Sequence, residues 1–163
     1  MPLQAYLKIE KIEGESTHGT HDKWIELISC NHGLNQPITM SGSSTGGLQA
    51  GKADHEMFGI VKQTDMASPK LAQHCCTGEG VGTITVEFCR DIGETIPFMT
   101  IEMEDAVVAS WMPAASQGDT DLPDESVSFA YEKITWTYQQ TGTSAGGTGE
   151  VVGNFNRRTG KPD

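Results

Sequence analysis

Residues 125–138 read ESVSFAYEKITWTY, and the parity of their apolar side chains decides the fold class. Val127, Phe129 and Tyr131 hold odd positions, whereas Ile134, Trp136 and Tyr138 hold even ones. Alternation of apolar and polar residues marks a strand with one buried face. The change of parity predicts a β-bulge or bend near Glu132 and Lys133. Small barrels use such bends to curve a sheet onto itself.

The same period recurs on either side of this stretch. Ile84, Val86 and Phe88 alternate with Thr83, Thr85 and Glu87, and Gly93 marks a turn after them. Thr95 to Met103 and Ala106 to Trp111 read as one long or broken strand. Nearer the N-terminus, Leu3, Ala5, Leu7 and Ile9 alternate with Gln4, Tyr6, Lys8 and Glu10. Trp24 to Cys30 reads as a second strand, apolar on both faces, and 53–62 as a third, less regular run. One short helix is predicted, with Ser68 as its cap, Pro69 at its first position and Gly78 at its end. Leu71 and Cys75 would share its buried face. Many short strands, turn signals between them and one helix predict a mainly β fold. It is a small β-barrel of two antiparallel sheets with one short flanking α-helix.

Composition narrows the function. The chain carries 22 Asp and Glu against 11 Lys and Arg, a formal charge of −11. Phosphate binding needs a basic surface, so nucleic acid is not an expected partner, and anionic membrane surfaces are disfavoured. The opening MPLQAYLKIEKIEGES alternates and offers no continuous apolar segment of a signal peptide. No stretch approaches the length of a transmembrane helix, so no membrane insertion is expected. Synthesis in the cytoplasm follows, with export left to a dedicated machine. Cys30, Cys75, Cys76 and Cys89 make no C-x-x-C motif and read as reduced, apolar packing residues.

Catalytic and metal chemistry finds little support. His18 and His21 stand three apart and could bind a metal with Glu15 or Asp22, but surface histidines are the commoner case. His74 and Cys75, adjacent on a helix, point about 100° apart and make a poor nucleophile pair; His74 reads as solvent-facing. Glu102 and Glu104 share one strand face, with Asp105 beside them, and read as a solvated or lumen-facing surface. No phosphate-binding glycine loop and no nucleophile elbow occurs. No catalytic residue, cofactor or metal is therefore expected.

Two segments read as loops. The run 40–51, MSGSSTGGLQAG, lies between strands inside the domain, and long loops there are often functional. The run 141–153, TGTSAGGTGEVVG, reads as a flexible linker near the C-terminus. The expected organisation is one barrel domain over 1–140, with an extended loop at 40–53, followed by a Gly-rich tail over 141–163. That tail would either dock on the barrel through Val151, Val152 and Phe155 or stay mobile.

From Leu3 to about Tyr138 the order and spacing of these pieces resemble the Hcp family, the hemolysin-coregulated tube proteins of type VI secretion. The resemblance rests on Tyr6-Leu7-Lys8-Ile9 through Gly14-Glu15-Ser16, then His21 and the strand start Trp24-Ile25. Gly51-Lys52-Ala53, Phe58, Asp65 and Ser68-Pro69-Lys70-Leu71 with Cys75 follow. Arg90, Gly93, Pro97-Phe98-Met99, Val107 to Ser110 and the 125–138 stretch complete it. The segment 111–124, WMPAASQGDTDLPD, departs from the family by its Pro and Asp content.

The resemblance implies a homohexameric ring that stacks into a hollow tube, expelled through the cell envelope with effector proteins in its lumen. Other ring copies, a spike protein and a contractile sheath would be its partners. It also implies that Ser41, Gly42, Ser43, Ser44, Thr45, Gly46, Gly47, Leu48, Gln49, Ala50, Gly51 and Lys52 form the loop reaching the next ring. The competing readings are a phage-type tail tube subunit, a small-ligand-binding barrel with an apolar cavity, and a metal enzyme using His18, His21 or His55. A tube subunit fused to a toxin is disfavoured by length.

Overall fold

A computed structural model describes residues 2–40, 42, 47–140 and 149–163. The strands run in the order β1 (Leu3–Ile9), β2 (Ile25–Glu26), β3 (Ser29–Asn31), β4 (Leu34–Asn35), β5 (Ile38–Met40), β6 (Leu48–Ala50), β7 (Asp54–His55) and β8 (Phe58–Gln63). Helix α1 (Ser68–Thr77) follows, then β9 (Gly82–Asp91), β10 (Thr95–Ala114), β11 (Asp124–Ala130), β12 (Lys133–Gln139) and β13 (Glu150–Asn156).

Strand β10 organises the molecule. Its first half pairs antiparallel with β9 and β12, and its second half, from Val107 to Ala114, pairs with β11. The register against β9 shifts between Met103 and Ala106, and Asp105 there adopts a positive φ of 51°. A bulge residue in the left-handed region bends the strand, and Asp tolerates that conformation better than most side chains. The bend carries one strand from the first sheet into the second.

The parity change in 125–138 has a related cause. It is not a bulge within one strand: β11 and β12 are separate strands on opposite halves of β10. Residues 131–132 pass between the sheets, so the buried parity resets. Val127, Phe129 and Ile134 are all wholly or almost wholly buried.

The path β1-β9-β10-β11-β8 is bridged at its ends by one segment. Trp24 to Cys30 is not one strand. Strand β2 pairs with β1, the Leu27 and Ile28 amides donate to Ala5 and Val61 carbonyls, and β3 pairs with β8. The irregular run 53–62 likewise divides into β7 and β8. Side chains from Leu7, Ile84, Val86, Met103, Phe58 and Leu71 meet in the core between the sheets.

Helix α1 closes one side of this core. Gly78 ends it with a left-handed φ of 69°, its N–H bonding the His74 carbonyl, as the sequence predicts. Ser68 is the first helical residue rather than the cap, which is Ala67. Asp65 Oδ1 satisfies the Ala67 N–H, and Ser68 Oγ accepts from Asp65 N–H. Leu71 is fully buried and Cys75 packs against the core, while Cys76 is exposed. His74 is half-buried, with Nδ1 2.9 Å from the Lys70 carbonyl.

The C-terminal segment joins the first sheet through β13, which pairs with β12 from Lys133–Asn156 to Gln139–Glu150. Phe155 packs against the core, but Val151 and Val152 stay exposed.

Candidate functional site

The loop expected over 40–53 is largely a β-ribbon. Strands β4 and β7 form its base, and β5 and β6 its outer part. Gly51 N–H to Pro37 O carries the pairing between them, and Glu56 N–H to Gly33 O continues it past the base. From Gly33 to Met40 it spans roughly 20 Å at about 3.3 Å per residue. Leu48, Gln49 and Ala50 thus lie in a strand, with Gly47, Gly51 and Lys52 flanking it; Gly42 is a bend. Ser41, Ser43, Ser44, Thr45 and Gly46 lie outside the described residues.

The ribbon has two unlike faces. Ile38 and Met40 stand opposite Ala50 and Leu48, so these four side chains share a face, while Thr39 and Gln49 share the other. Ile38, Met40 and Leu48 are 57%, 83% and 69% exposed. Among the described residues, β5 and β6 pair only with each other. An apolar face on a narrow projecting ribbon has no core to fill, and such surfaces mark contact with other chains. Strand β13 is a second open feature, since among the described residues it pairs only with β12 and shows Val151 and Val152 to solvent.

The Gly14-Glu15-Ser16 turn and His21 act together on the outer face of β1 and β9. A side chain at position 14 would strike the Trp24 carbonyl, so only glycine fits. Glu15 accepts from the Met66 N–H, and Ser16 Oγ from the His18 N–H. This turn lays His21 flat against Tyr6, ring centroids 4.2 Å apart. His21 Nε2 stands 2.6 Å from Glu87 Oε2, and Nδ1 2.9 Å from Thr20 Oγ1. A carboxylate only accepts, so Nε2 carries the proton.

His21, Glu87 and Cys89 hold their donor atoms within 4.8 Å of one another, a set that a soft divalent ion could use. Two ligands of one tetrahedral zinc would stand roughly 3.3 Å apart at bond lengths of about 2.0–2.2 Å. The 2.6 Å His21–Glu87 spacing is instead that of a charge-assisted hydrogen bond. Burial, and then Glu87, push the Cys89 thiol up to about 11, so it stays protonated. Of the metal set suggested by the sequence, Glu15 turns to the Met66 N–H, His21 Nε2 faces Glu87 and His18 Nε2 lies 3.0 Å from Thr95 Oγ1.

A buried ionic knot ties α1 to the second sheet. Lys62 and Glu125 are both fully buried at their side chains, with Nζ to Oε1 at 2.6 Å. Lys62 Nζ also reaches Asp65 Oδ1 at 2.8 Å, the Gln63 carbonyl at 2.9 Å and Ser68 Oγ at 3.2 Å. Ser68 donates to Glu125 at 2.7 Å. Sequence reading missed this knot, because Lys62 looked like the polar end of a strand. Its only trace is that Lys62 occupies a position of the same parity as Phe58 and Ile60.

A second polar node joins the ribbon base to the body of the fold. The Tyr131 hydroxyl lies 2.8 Å from His55 Nδ1 and 3.5 Å from His32 Nε2. Burial pushes the Tyr131 hydroxyl up to about 12. Burial also holds both histidines below their ordinary value, helped at His32 by His55 and at His55 by Arg157. Among the described residues neither histidine meets a carboxylate at hydrogen-bond distance, and His55 is held by the Tyr131 hydroxyl and by the Phe155 ring, 5.4 Å away. Glu102 is exposed, and Glu104 is paired with Lys133 at 3.4 Å.

An antiparallel β fold with a projecting apolar ribbon and an open edge strand defines a subunit built to assemble. Comparison with known proteins names its kind. Residues 6–138 match the family described as type VI secretion system effector, Hcp. The major exported protein of Pseudomonas aeruginosa is 28% identical over 137 residues, covering 80% of each chain. A solved type six secretion system protein, 31% identical, superposes with a TM-score of 0.92 over 99% of this chain and 100% of its own. Hcp1 from Salmonella typhimurium shares the fold at a TM-score of 0.81 and 21% identity, over 100% of both chains. The chain belongs to the Hcp family and is a secreted tube subunit of type VI secretion.

Proposed function

We propose that the chain forms hexameric rings, and that the ribbon over 33–56 carries each ring onto the next. The apolar face of Ile38, Met40 and Leu48, exposed on a ribbon with no core beneath it, carries this reading. Residues 41–52 act as the stacking segment, together with the ribbon that presents them. The open edge of β13 suits a heterologous contact that closes on itself around a ring.

The lumen of the tube is polar, so that effector proteins slide and release; an apolar lining would hold them. The subunit works by assembly rather than catalysis. It is made in the cytoplasm, is exported by the type VI machine itself, and meets a spike protein at the tube tip and a contractile sheath around it. Residues 1–140 serve as the barrel domain, and 141–163 as a C-terminal segment whose strand β13 extends its first sheet.

Negative-stain microscopy of the purified chain tests the ring, which should appear six-fold end-on. Deleting Ser43 to Gly47 should leave rings and abolish tubes. A deleted chain that still forms tubes and is secreted normally refutes the stacking role.

A further inference from the structure

Three of the chain's few cations gather at one place. Lys52, Arg157 and Arg158 border a cleft of about 580 Å³ at the ribbon base, with Phe155 and Tyr131 in its wall. Glu132 also lines it, leaving a net excess of positive charge. Among the described residues no carboxylate comes within 4.0 Å of these three cations. Arg157 is used internally: it donates to the Tyr131 carbonyl at 2.9 Å and lies over the Tyr131 ring. Lys52 and Arg158 are exposed and make no such contact. In a chain with twice as many acids as bases, unpaired cations around a cleft call for an anionic partner.

The complementary feature lies on the same molecule, out of reach. The segment Asp121-Leu122-Pro123-Asp124 follows β10 and leads into β11. It presents two exposed carboxylates around Leu122, which is 61% exposed. Among the described residues no cation lies within 4.0 Å of either aspartate. Asp124 begins β11, whereas Tyr131 in the cleft wall follows its end. The two features are thus separated by the length of β11, about 20 Å at 3.3 Å per residue. One subunit cannot satisfy both, but two copies set head to tail can, and the contact then repeats from copy to copy.

We propose that the Asp121–Asp124 segment of a subunit in one ring docks in the Lys52–Arg158 cleft of a subunit in the next. The carboxylates meet the two free cations, and Leu122 enters against Phe155. The ribbon leaves its own subunit beside this cleft, since Gly51, Lys52 and Ala53 belong to both. Ribbon and cleft therefore face the same neighbour. The inference rests on the stacking reading and supplies it with polarity: one face of the ring is cationic and grooved, the other acidic.

Zero-length carbodiimide coupling of a mixture of nitrogen-14 and nitrogen-15 full chains tests it. Mass spectrometry should find Lys52 joined to Asp121 or Asp124 in mixed-isotope pairs. Arg158→Glu keeps all three coupling residues and should cut that yield at least fivefold, with melting unchanged. The link should also vanish in the Ser43–Gly47 deletion, which keeps rings but not stacks. No Lys52 link while other interchain links form, or a yield indifferent to Arg158→Glu, overturns the pairing. A link that persists in the deleted rings places the contact within one ring and overturns the stacking assignment. A chain that sediments as a monomer refutes the ring reading itself, whereas rings without the link refute only the pairing.

Discussion

Lys62 and Lys52 sit on the same stretch of chain and have opposite fates. Lys62 is wholly buried, its ammonium shared among two carboxylates, a hydroxyl and a carbonyl. Lys52 is exposed at the ribbon base, with no carboxylate among the described residues within 4.0 Å of it. A buried charge persists only where its hydrogen bonds are complete, so the first lysine specifies how α1 meets the sheet. A free charge on the surface contributes little to folding, so the second is available for a partner. The sheet side of the molecule uses its polar groups in its own fold; the ribbon side leaves them open.

Substitutions should separate these two sides by size of effect. The largest is expected at the knot. Lys62→Met leaves Glu125 buried without its cation and should cost about 3–5 kcal/mol in chemical denaturation. Adding Glu125→Leu removes the orphaned charge and should recover most of that loss. A single substitution that leaves the unfolding midpoint unchanged would mean the knot is not closed in solution.

The next effect belongs to the node where the two sides meet. His32 and His55 are held below their ordinary value of 6.5, chiefly by burial. The unfolded chain therefore takes up protons at a pH where the folded chain still refuses them. Stability is full above 6.5 and is lost as the pH falls below it toward the folded values. Arg157 deepens the effect at His55, while Asp54 opposes it there and Glu56 opposes it at His32. The melting temperature should fall between about pH 7.5 and about pH 5, and His55→Gln should flatten that slope. A slope unchanged by the substitution would assign the pH response to other groups.

A smaller change is expected at the end of α1. Gly78→Ala puts a Cβ on a left-handed residue and should cost roughly 1–2 kcal/mol, read as a lower melting temperature with rings intact. The smallest effect on folding is expected on the ribbon. Met40→Asp with Leu48→Asp replaces exposed side chains and should move stability by no more than about 0.5 kcal/mol. The same pair should abolish stacking in the microscope. A large loss of stability there would show that the ribbon face is folded against its own subunit.

The strands with one buried face were legible before the structure. Leu7, Ile84, Val86, Phe129 and Ile134 fall where alternation places them, and Gly78 ends the helix as its backbone freedom demands. The ribbon was read as a loop because β5 and β6 are three residues each and bury nothing, so they leave no periodic signal. The Trp24–Cys30 run was read as one strand because both of its halves are apolar, although each bonds a different sheet. Lys62 and Glu125 were invisible as a pair because their partnership spans two strands and a helix.

What the sequence determined by itself was the period: which residues alternate, where a helix must stop, and an acidic excess of 22 Asp and Glu over 11 Lys and Arg. It also carried the ordered motifs by which the family is identified. Only the tertiary structure decided which side of each strand meets which neighbour. It alone brought Lys62 to Glu125, lifted 33–56 out as a ribbon, and set the Lys52 cleft and the Asp121–Asp124 segment at opposite ends of β11. Periodicity is a local property of the chain, whereas charge pairing and exposed faces depend on distances that exist only once the sheets have closed on their core.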